Sequence, residues 1–413
     1  MNNLFNLEKF YQVILPTKSK KLPNKLSPST YLKIKNCPRQ WSYENSEFIN
    51  FQNKKYPPQV FLQSLIGNSI HKTIEDLIHI MKNLQCNRIN DENWNKVKKN
   101  IKSIKELFKK KSQKEILKSL NNPRNRRTKD DYEIYLEDNI QNILFKIKKL
   151  IAKIYLDNSE INSKKSSKNL DFELANANLS EFEISSNKLN FFGYVDFFKI
   201  NEKDVEIYDF KTGIEKDNDE EQILLYSLIW KFDEIHNPSS RNTTKLTLIY
   251  NDKNKEISPP DDEEIKRRTE KLITDVSELK NVFNDNPIEA KPSWDNCKWC
   301  NVKQLCDSYW NYIDQNKLDL SNLESNTISS NIELKALHKE DDKWVGKVSF
   351  SDIFIKEKSI IVENRGEHSL NRDILNNSKE IRILNFNYYF DNEENIKNNR
   401  IVLNKFSEIF KIN

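Results

Sequence analysis

Apolar side chains recur every three or four residues within residues 60–83, at positions 62, 66, 70, 74, 77 and 81. This period places them on one face of an α-helix, and a helix of this kind packs its apolar face against a core. The stripe therefore predicts a core-facing helix. His71 lies beside the stripe, one turn after Gly67.

The same period predicts further helices over residues 26–44, over several basic pieces of 84–157, and over 217–230 and 262–284. The helix over 26–44 starts with Ser27 and Pro28. Serine is a favoured N-cap residue and proline suits the first helical position, so this start is well defined by the sequence.

Strands are predicted where aromatic and β-branched residues run between polar breaks, at 181–185, 189–200, 205–210 and 245–250. The polar run 157–169 indicates a loop or linker. After about residue 318, short strands alternate with turns. The order of these elements predicts an α/β fold. A mixed sheet flanked by helices lies within residues 1–317, with a helical insertion at about 84–170, and a small β-rich accessory domain follows over 318–413.

The second and third predicted strands form an antiparallel hairpin. If Glu202 and Lys203 are its turn, the numbers of paired residues sum to 405, and Asp196 lies opposite Asp209. Side chains alternate between the faces of a strand, so Lys211 projects from the same face as both carboxylates.

Two carboxylates on one face of a mostly apolar hairpin allow two interpretations. Like charges placed opposite each other destabilise a strand pair unless a cation lies between them, and closely spaced oxygen ligands suit Mg²⁺ or Mn²⁺. The alternative is a solvated hairpin face that carries charges. The hairpin by itself leaves both interpretations open.

Charge is distributed unevenly along the 413-residue chain, whose net charge is +5. Residues 96–129 hold fourteen Lys and Arg but only two acidic residues, Glu106 and Glu115. Such a stretch either meets a polyanion or forms a solvated helix surface in a lysine-rich protein. The candidate phosphate contacts are Lys98, Lys102, Lys105, Lys109, Arg124, Arg126 and Arg127.

Several classes of protein are excluded by what the sequence lacks. It contains no apolar run long enough to span a bilayer, and its first residues lack the charged-then-apolar order of a signal peptide. A cytoplasmic protein without a membrane role is therefore expected. The sequence also contains no Walker A phosphate loop, so no helicase motor is expected in it.

Three of the five cysteines, Cys297, Cys300 and Cys306, form a C-x2-C-x5-C array. In a cytosolic protein this spacing indicates metal binding rather than disulfides. The fourth ligand is Cys37, at the end of the capped N-terminal helix, or Cys86, at a helix end; we favour Cys37. Four thiolates suit a structural zinc or an iron–sulfur cluster, and the spacing does not decide between them.

Six motifs occur in the order found in one group of nucleases: LSPSTYLKIKNCPRQW, GNSIHKTIED, GYVDFF, IYDFKTG, QILLY and CKWCNVKQLC. In these motifs the chain resembles the RecB-like branch of the PD-(D/E)XK nuclease superfamily. Its iron–sulfur members, the AddB nuclease domain and the CRISPR-associated RecB-like exonucleases, are the most similar. The resemblance covers most of residues 26–310, and it implies a restriction-endonuclease-like core held by an iron–sulfur staple.

The resemblance also implies roles for the motif residues. His71, Asp196 and Asp209 are implied metal ligands, and the backbone carbonyl of Phe210 is a further one. Lys211 is implied to position or polarise the attacking water and to stabilise charge on the phosphate.

Four more residues follow from the resemblance. Gln222 and Tyr226, one turn apart on a helical face, are implied to contact substrate near the site. The family also places a glutamate on the strand before the first aspartate. Glu183 is the nearest match, and Glu181 shares its face of the strand.

The activity implied by the resemblance is hydrolysis of DNA phosphodiesters with Mg²⁺ or Mn²⁺, by an exonuclease acting on single-stranded DNA ends in repair or recombination. The implied staple is a 4Fe–4S cluster on Cys37, Cys297, Cys300 and Cys306, with structural zinc as the alternative. The alternative function is a weakly active or inactive DNA-end-binding subunit of a helicase–nuclease or CRISPR adaptation complex. A helicase, or a recombination or CRISPR protein, is accordingly an expected partner.

Overall fold

A computed structural model describes residues 10–52, 54–120, 122, 124–125, 129–153, 156, 177–201, 204–250, 252–319, 327–364, 369–389 and 399–412. The predicted linker at 157–169, the turn residues Glu202 and Lys203, and two candidate phosphate contacts, Arg126 and Arg127, lie outside these residues. No helix in the described part of the chain is long and apolar enough to cross a membrane.

The chain divides into two compact units. The central unit consists of residues 22–35 and 60–285, and the terminal unit combines residues 1–21, 36–59 and 286–413. The terminal unit therefore groups residues 286–317 with the C-terminal strands. The division into domains at residue 317 stays a prediction.

The helices are, in chain order, α1 (Pro28–Asn36), α2 (Pro38–Asn45), α3 (Leu62–Asn83), α4 (Trp94–Ile101), α5 (Ile104–Leu120), α6 (Lys129–Ala152), α7 (Asp217–Lys231), α8 (Asp262–Val282), α9 (Trp294–Lys298), α10 (Asp307–Gln315) and α11 (Ser369–Asn376). The strands are β1 (Ala177–Ser186), β2 (Phe191–Ile200), β3 (Val205–Lys211), β4 (Lys245–Tyr250), β5 (Asn254–Ile257), β6 (Thr327–Glu340), β7 (Lys343–Ser351), β8 (Ser359–Asn364), β9 (Ile381–Tyr389), β10 (Arg400–Leu403) and β11 (Glu408–Lys411).

Helix α3 confirms the predicted apolar stripe. The stripe residues Ile66, Ile70, Ile74, Leu77 and Met81 are buried in the core of the central unit. Helices α4, α5 and α6 of the insertion contribute to the same core. The insertion is therefore packed onto α3 through apolar contacts.

The prediction of one helix over residues 26–44 is wrong, because α1 and α2 are separate helices. Cys37 between them has an extended backbone, with φ −156° and ψ 103°. Proline disfavours the helical conformation of the residue before it and lacks the N–H that a helix interior needs, so Pro38 ends one helix and starts the next. The predicted cap is confirmed: Ser27 Oγ accepts a hydrogen bond from Thr30 N at 3.2 Å.

The sheet of the central unit has the order β1-β2-β3-β4-β5. Strand β4 is parallel to β3, with α7 as the crossover, and the other neighbours are antiparallel. The predicted mixed sheet is thus confirmed. The predicted hairpin register is confirmed as well, since Phe197 pairs with Tyr208 and Ile200 with Val205, which gives the sum of 405.

The terminal unit contains a six-stranded sheet of order β10-β8-β7-β6-β9-β11, in which β10 also pairs with β9. On the edge of β11 that does not pair with β9, residues near the start of the chain pair with β11. Lys411 N donates a hydrogen bond to Tyr11 O, and Val13 N donates to Lys411 O, both at 2.8 Å. Residues 11–13 therefore extend this sheet.

Candidate active site

One pocket of the central unit gathers residues from four elements, α3, β2, β3 and α7. All seven residues assigned to the nuclease site by their motifs line this pocket: His71, Asp196, Asp209, Phe210, Lys211, Gln222 and Tyr226. Strands β2 and β3 supply the acidic and basic groups, and the two helices supply the flanking His, Gln and Tyr.

The two aspartates occupy different hydrogen-bonding environments. Asp196 Oδ2 accepts a hydrogen bond from the backbone N–H of Phe210 at 2.6 Å and lies 3.7 Å from His71 Nδ1. Asp209 is buried. Its Oδ2 forms an ion pair with Lys211 Nζ at 2.6 Å and accepts no hydrogen bond from any other group of the described chain.

Burial and mutual repulsion make the carboxylates costly to ionise. Burial, followed by the charge of Asp209, raises the pKa of Asp196 well above its usual value. Burial also raises the pKa of Asp209, although Lys211 opposes the shift. His71 has its pKa lowered to about 4, by burial and then by the Lys211 charge. His71 is therefore neutral at pH 7 and keeps a ring nitrogen lone pair that can bind a cation.

Lys211 is held at the centre of the pocket by three partners. Its Nζ donates to Gln222 Oε1 at 2.7 Å, lies 2.6 Å from Asp209 Oδ2 and lies 3.5 Å from Asp219 Oδ1. Burial opposes the charged form, but the carboxylates of Asp209, Asp219 and Asp196 outweigh it and raise the pKa of Lys211. The site thus holds a fixed positive charge.

Gln222 links Lys211 to the wall of the pocket. Its Nε2 donates to the hydroxyl of Tyr226 at 3.2 Å, one turn along α7. Burial and the charges of Asp209 and Asp196 raise the pKa of Tyr226. The phenol therefore stays neutral and able to donate a hydrogen bond.

Asp219 is a site residue that the sequence reasoning missed. Besides facing Lys211, it accepts hydrogen bonds at Oδ2 from Lys216 N at 3.0 Å and from the Tyr250 hydroxyl at 2.9 Å. It stands in the acidic first turn of α7, a position that stabilises any helix start. The sequence therefore indicates only that Asp219 stabilises the start of α7. Its contact with Lys211 could not be predicted, because no motif spacing connects the two residues.

Two glycines let neighbouring elements approach the site closely. A Cβ atom on Gly67 of α3 would lie 2.7 Å from Thr212 Oγ1, and one on Gly193 of β2 would lie 2.6 Å from Tyr226 Cε1. Real Cβ atoms do not make contacts this short, so both positions need glycine.

The structure distinguishes the two glutamates of β1. Both are exposed. Glu183 accepts a hydrogen bond from the Tyr194 hydroxyl at 3.0 Å. Glu181 lies between the pairs Ser180–Phe197 and Phe182–Val195, which places it opposite Asp196, and it has a left-handed backbone at φ 49°. Partial burial of its carboxylate, with the charges of Glu75 and Asp209, raises the pKa of Glu181, so Glu181 shares the electrostatic field of the site.

The donor set fits a hard divalent cation. The buried carboxylate of Asp209 and the partly buried carboxylate of Asp196 repel each other, and the neutral imidazole of His71 lies next to Asp196. Carboxylate and carbonyl oxygens suit Mg²⁺ or Mn²⁺. No three His, Cys, Asp or Glu side chains in the described chain stand close enough together to hold an ion. The carboxylates are instead turned towards Phe210 N and Lys211.

A second group of candidate ligands lies in the terminal unit. Cys37, Cys297, Cys300 and Cys306 line one cavity. All four are free thiols, and burial raises the pKa of Cys297 to about 11. Lys291 N donates to Cys37 Sγ at 3.5 Å. Four thiols around one cavity are the ligand type of both zinc and an iron–sulfur cluster, although among the residues that the structure describes no three of them stand close enough together to hold an ion.

Cys86 does not line this cavity. It is buried in the core of the central unit, among the helices that pack on α3, and its Sγ donates to Arg88 O at 3.3 Å. Burial raises the pKa of the Cys86 thiol, which disfavours the thiolate.

The candidate phosphate contacts of the insertion differ in exposure. Lys98, Lys102 and Lys109 are exposed on α4 and α5 or between them, and Lys105 is partly exposed. Arg124 is buried, so its assignment as a surface contact is wrong. A buried guanidinium is usually fixed by protein partners and does not face a ligand.

Comparison with family models identifies the family of the chain. The family model described as the PD-(D/E)XK nuclease superfamily matches residues 25–307, about two thirds of the 413-residue chain. No curated protein matches the sequence. The matched range includes every residue of the pocket and all four cysteines of the cavity.

Proposed function

We propose, because the chain belongs to the PD-(D/E)XK nuclease superfamily, that it is a metal-dependent exonuclease acting on single-stranded DNA ends. Members of this superfamily are generally nucleases and typically use Mg²⁺ or Mn²⁺. The observation that carries the proposal is the convergence of the seven motif residues on one pocket. A protein that only bound DNA ends would have no need to place two repelling carboxylates beside a lysine.

Asp196, Asp209, His71 and the carbonyl of Phe210 are the proposed ligands of the divalent cation. When bound, the cation would neutralise charge on the scissile phosphate and lower the pKa of a water molecule. The protein prepares this site by keeping His71 neutral, by burying Asp209 and by partly burying Asp196, so that binding a cation relieves the repulsion of the two carboxylates.

Lys211 is the proposed electrostatic catalyst. Phosphodiester hydrolysis builds negative charge on the phosphoryl oxygens, and a fixed cation stabilises that charge most effectively in a buried site. Gln222 and Asp219 hold the Nζ in place before the substrate arrives. Tyr226, kept neutral, can donate a hydrogen bond to a phosphate or sugar oxygen.

The proposal is tested on end-labelled single-stranded DNA with Mg²⁺ or Mn²⁺. Asp196→Ala, Asp209→Ala and Lys211→Ala should each lower the cleavage rate by at least about 100-fold, with circular dichroism and DNA affinity close to the parent. Glu183→Ala removes a carboxylate from the neighbouring strand and should cleave at the parental rate. If one of the three pocket variants also cleaves at the parental rate, the site is assigned wrongly.

A second substrate distinguishes the proposed exonuclease from an endonuclease. A closed circle of single-stranded DNA has no ends, so it should resist the enzyme while the linear form of the same strand is degraded. Cleavage of the circle would show endonuclease action. A parent protein that binds both substrates and cuts neither would instead support the end-binding subunit.

We also propose that the four cysteines hold a 4Fe–4S cluster. The support is their shared cavity and the resemblance of both cysteine motifs to iron–sulfur nucleases. Reduced thiols of this kind are stable in the cytoplasm, where we place the protein. Because the sequence contains no Walker A motif, we propose that a separate helicase supplies strand separation during repair, recombination or CRISPR adaptation.

A further inference from the structure

The strands after residue 327 form a closed barrel. Strand β6 pairs with β7 and β7 with β8, both antiparallel, and β8 pairs parallel with β10. Strand β10 also pairs antiparallel with β9, which returns to β6. The ring of pairings is therefore β6-β7-β8-β10-β9-β6, and α11 lies between β8 and β9 along the chain.

This order is the topology of an OB fold, a five-stranded Greek-key barrel. Numbered one to five along the chain, the strands close in the order 1-2-3-5-4-1, and the helix follows the third strand. Leu375 of α11 is buried in the barrel core. The first strand is long and irregular, with register shifts between Glu333 and Leu334 and between Lys335 and His338. Such irregularities allow one strand to curve around a barrel.

Gly346 in the second strand supports the same closure. A Cβ atom at this position would lie 3.2 Å from both Leu334 Cβ and Leu337 Cδ1 of β6. Glycine therefore lets β6 bend closely over β7. The sequence has only five glycines, and one of them stands where the barrel is tightest.

An OB fold serves many functions, so the fold alone does not identify a ligand. The outer surface of the second and third strands provides the argument. Trp344 and Val348 of β7 point into the barrel core, which turns Lys343, Val345 and Lys347 outward. We call these three residues and their neighbours on β8 and the flanking strands the β7–β8 face.

The centre of the β7–β8 face is apolar. Val345 pairs with Ile361, and both side chains are partly exposed. Lys343 and Lys347 flank Val345 on the same strand, about 13 Å apart at the usual rise of a strand. The face therefore places an aliphatic strip between cations.

The cations outnumber the carboxylates on this face. Arg400 Nε lies 3.0 Å and Lys343 Nζ 3.7 Å from the same oxygen of Glu363. Lys335, which pairs with Lys347, forms an ion pair with Glu357. On the flanking strand β6, Glu340 pairs with Lys343. Four cationic side chains thus face three carboxylates, Glu340, Glu357 and Glu363, which leaves a net charge of +1 on the face. The barrel segment as a whole, residues 327–411, contains equal numbers of basic and acidic residues, so this excess is local.

We propose that the β7–β8 face binds single-stranded DNA. The cations would contact phosphates, and the Val345–Ile361 strip would contact the faces of unpaired bases. A duplex hides its base faces and would gain only the phosphate contacts, so the apolar strip favours a single strand. The strip has no hydrogen-bonding groups, so binding should not depend on base sequence. This site is distinct from the pocket of the central unit and goes beyond the proposed cleavage.

The test measures binding by fluorescence anisotropy with a labelled thymidine oligonucleotide and with a labelled duplex, using the full chain. All proteins carry Asp196→Ala so that no strand is cut. The pair Lys343→Glu and Lys347→Glu should weaken single-strand binding about tenfold, and should reduce the slope of log K against log salt by about 1.4, at about 0.7 for each lost contact. A chain without nuclease activity would still give this result. Failure of the cleavage proposal can therefore be distinguished from failure of this binding proposal.

The matched control is Arg372→Glu with Lys379→Glu, which makes the same change in net charge at exposed positions near α11. The control should keep the parental slope. A third variant, Val345→Ser, should lower the preference for single strands over duplex and leave the slope unchanged. The proposal is overturned if the double variant Lys343→Glu and Lys347→Glu keeps the parental affinity and salt slope, the result expected if this face binds a protein. It is also overturned if the control variant lowers the affinity and the slope by the same amounts.

Discussion

Gly193 of β2 lies directly against the aromatic ring of Tyr226, at a distance that leaves no room for a methyl group. The glycine two residues after the start of β2 thus fixes how far α7 approaches the sheet. Since α7 also carries Gln222, which binds Lys211, this close approach determines where the lysine is held.

Gly193→Ala should destabilise the protein by roughly 1–3 kcal/mol, the usual cost of overpacking, and should lower the cleavage rate because Tyr226 must move. Thermal unfolding and cleavage kinetics measure the two effects. Gly213→Ala is the control for stability, because its Cβ would meet nothing within 4 Å. Equal melting temperatures for the two variants would contradict the close contact.

Asp219→Ala should lower kcat about tenfold or more without changing KM for DNA, since Asp219 acts on Lys211 and does not touch the substrate. Tyr250→Phe removes one hydrogen bond to Asp219 and should cause a smaller loss of kcat. Glu221→Ala is the control on the same helix, where the carboxylate pairs with Arg268. A rise in KM with unchanged kcat would argue against this positioning role.

Protein purified without oxygen should be brown and contain about four iron and four sulfide per chain, the content of a 4Fe–4S cluster. Cys37→Ser should lose the colour and destabilise the protein. Cys86→Ser is the matched control and should keep both colour and activity, because Cys86 lies outside the cavity. Colourless protein with one zinc per chain would favour the zinc staple and leave the nuclease proposal intact.

Lys102→Glu with Lys109→Glu should weaken DNA binding and lower its salt slope by about 1.4, the sum of two single-strand contacts of about 0.7 each. Both lysines are exposed. Lys266→Glu with Lys280→Glu makes the same charge change on α8, also at exposed positions. If the Lys102 and Lys109 variant and the Lys266 and Lys280 variant have the same slope of log K against log salt, the basic residues of the insertion form only a solvated surface.

Asp352 should make stability depend on pH. Burial raises its pKa from 3.8 to about 6, although hydrogen bonds from Asn331 oppose the shift. The folded state thus favours the protonated acid. Stability should fall as pH rises from about 4 to about 6, by about 3 kcal/mol for 2.2 pKa units at 1.36 kcal/mol each. Chemical unfolding of the parent and of Asp352→Asn, compared across this range, measures the difference. Parallel curves would exclude the effect.

The hairpin could be predicted from the sequence because its constraints are local. A short polar turn between two apolar strands fixes the register, and the register fixes the relation of Asp196, Asp209 and Lys211. The helix α3 could be predicted for the same reason, since the period of its apolar residues determines its buried face.

Other features depend on partners that are distant in sequence. Asp219 has the sequence pattern of an ordinary acidic residue in the first turn of a helix, and only the fold brings it to Lys211 and Tyr250. Glu181 has a left-handed backbone within β1, which no local pattern indicates. The split between α1 and α2 could have been found, because Pro38 marks it directly.

The terminal unit has a consequence for the order of events during synthesis. Tyr11 and Val13 pair with Lys411, and Cys37 shares its cavity with cysteines some 260 residues later. At the usual 5–20 residues per second, a ribosome needs roughly 13–50 s to travel from Cys37 to Cys297. The central unit is complete before that time, so it can fold while the first segment of the chain waits without its partners. A ribosome stalled before residue 400 would therefore carry all strands of the sheet β1–β5, while residues 11–13 would lack their pairing with Lys411.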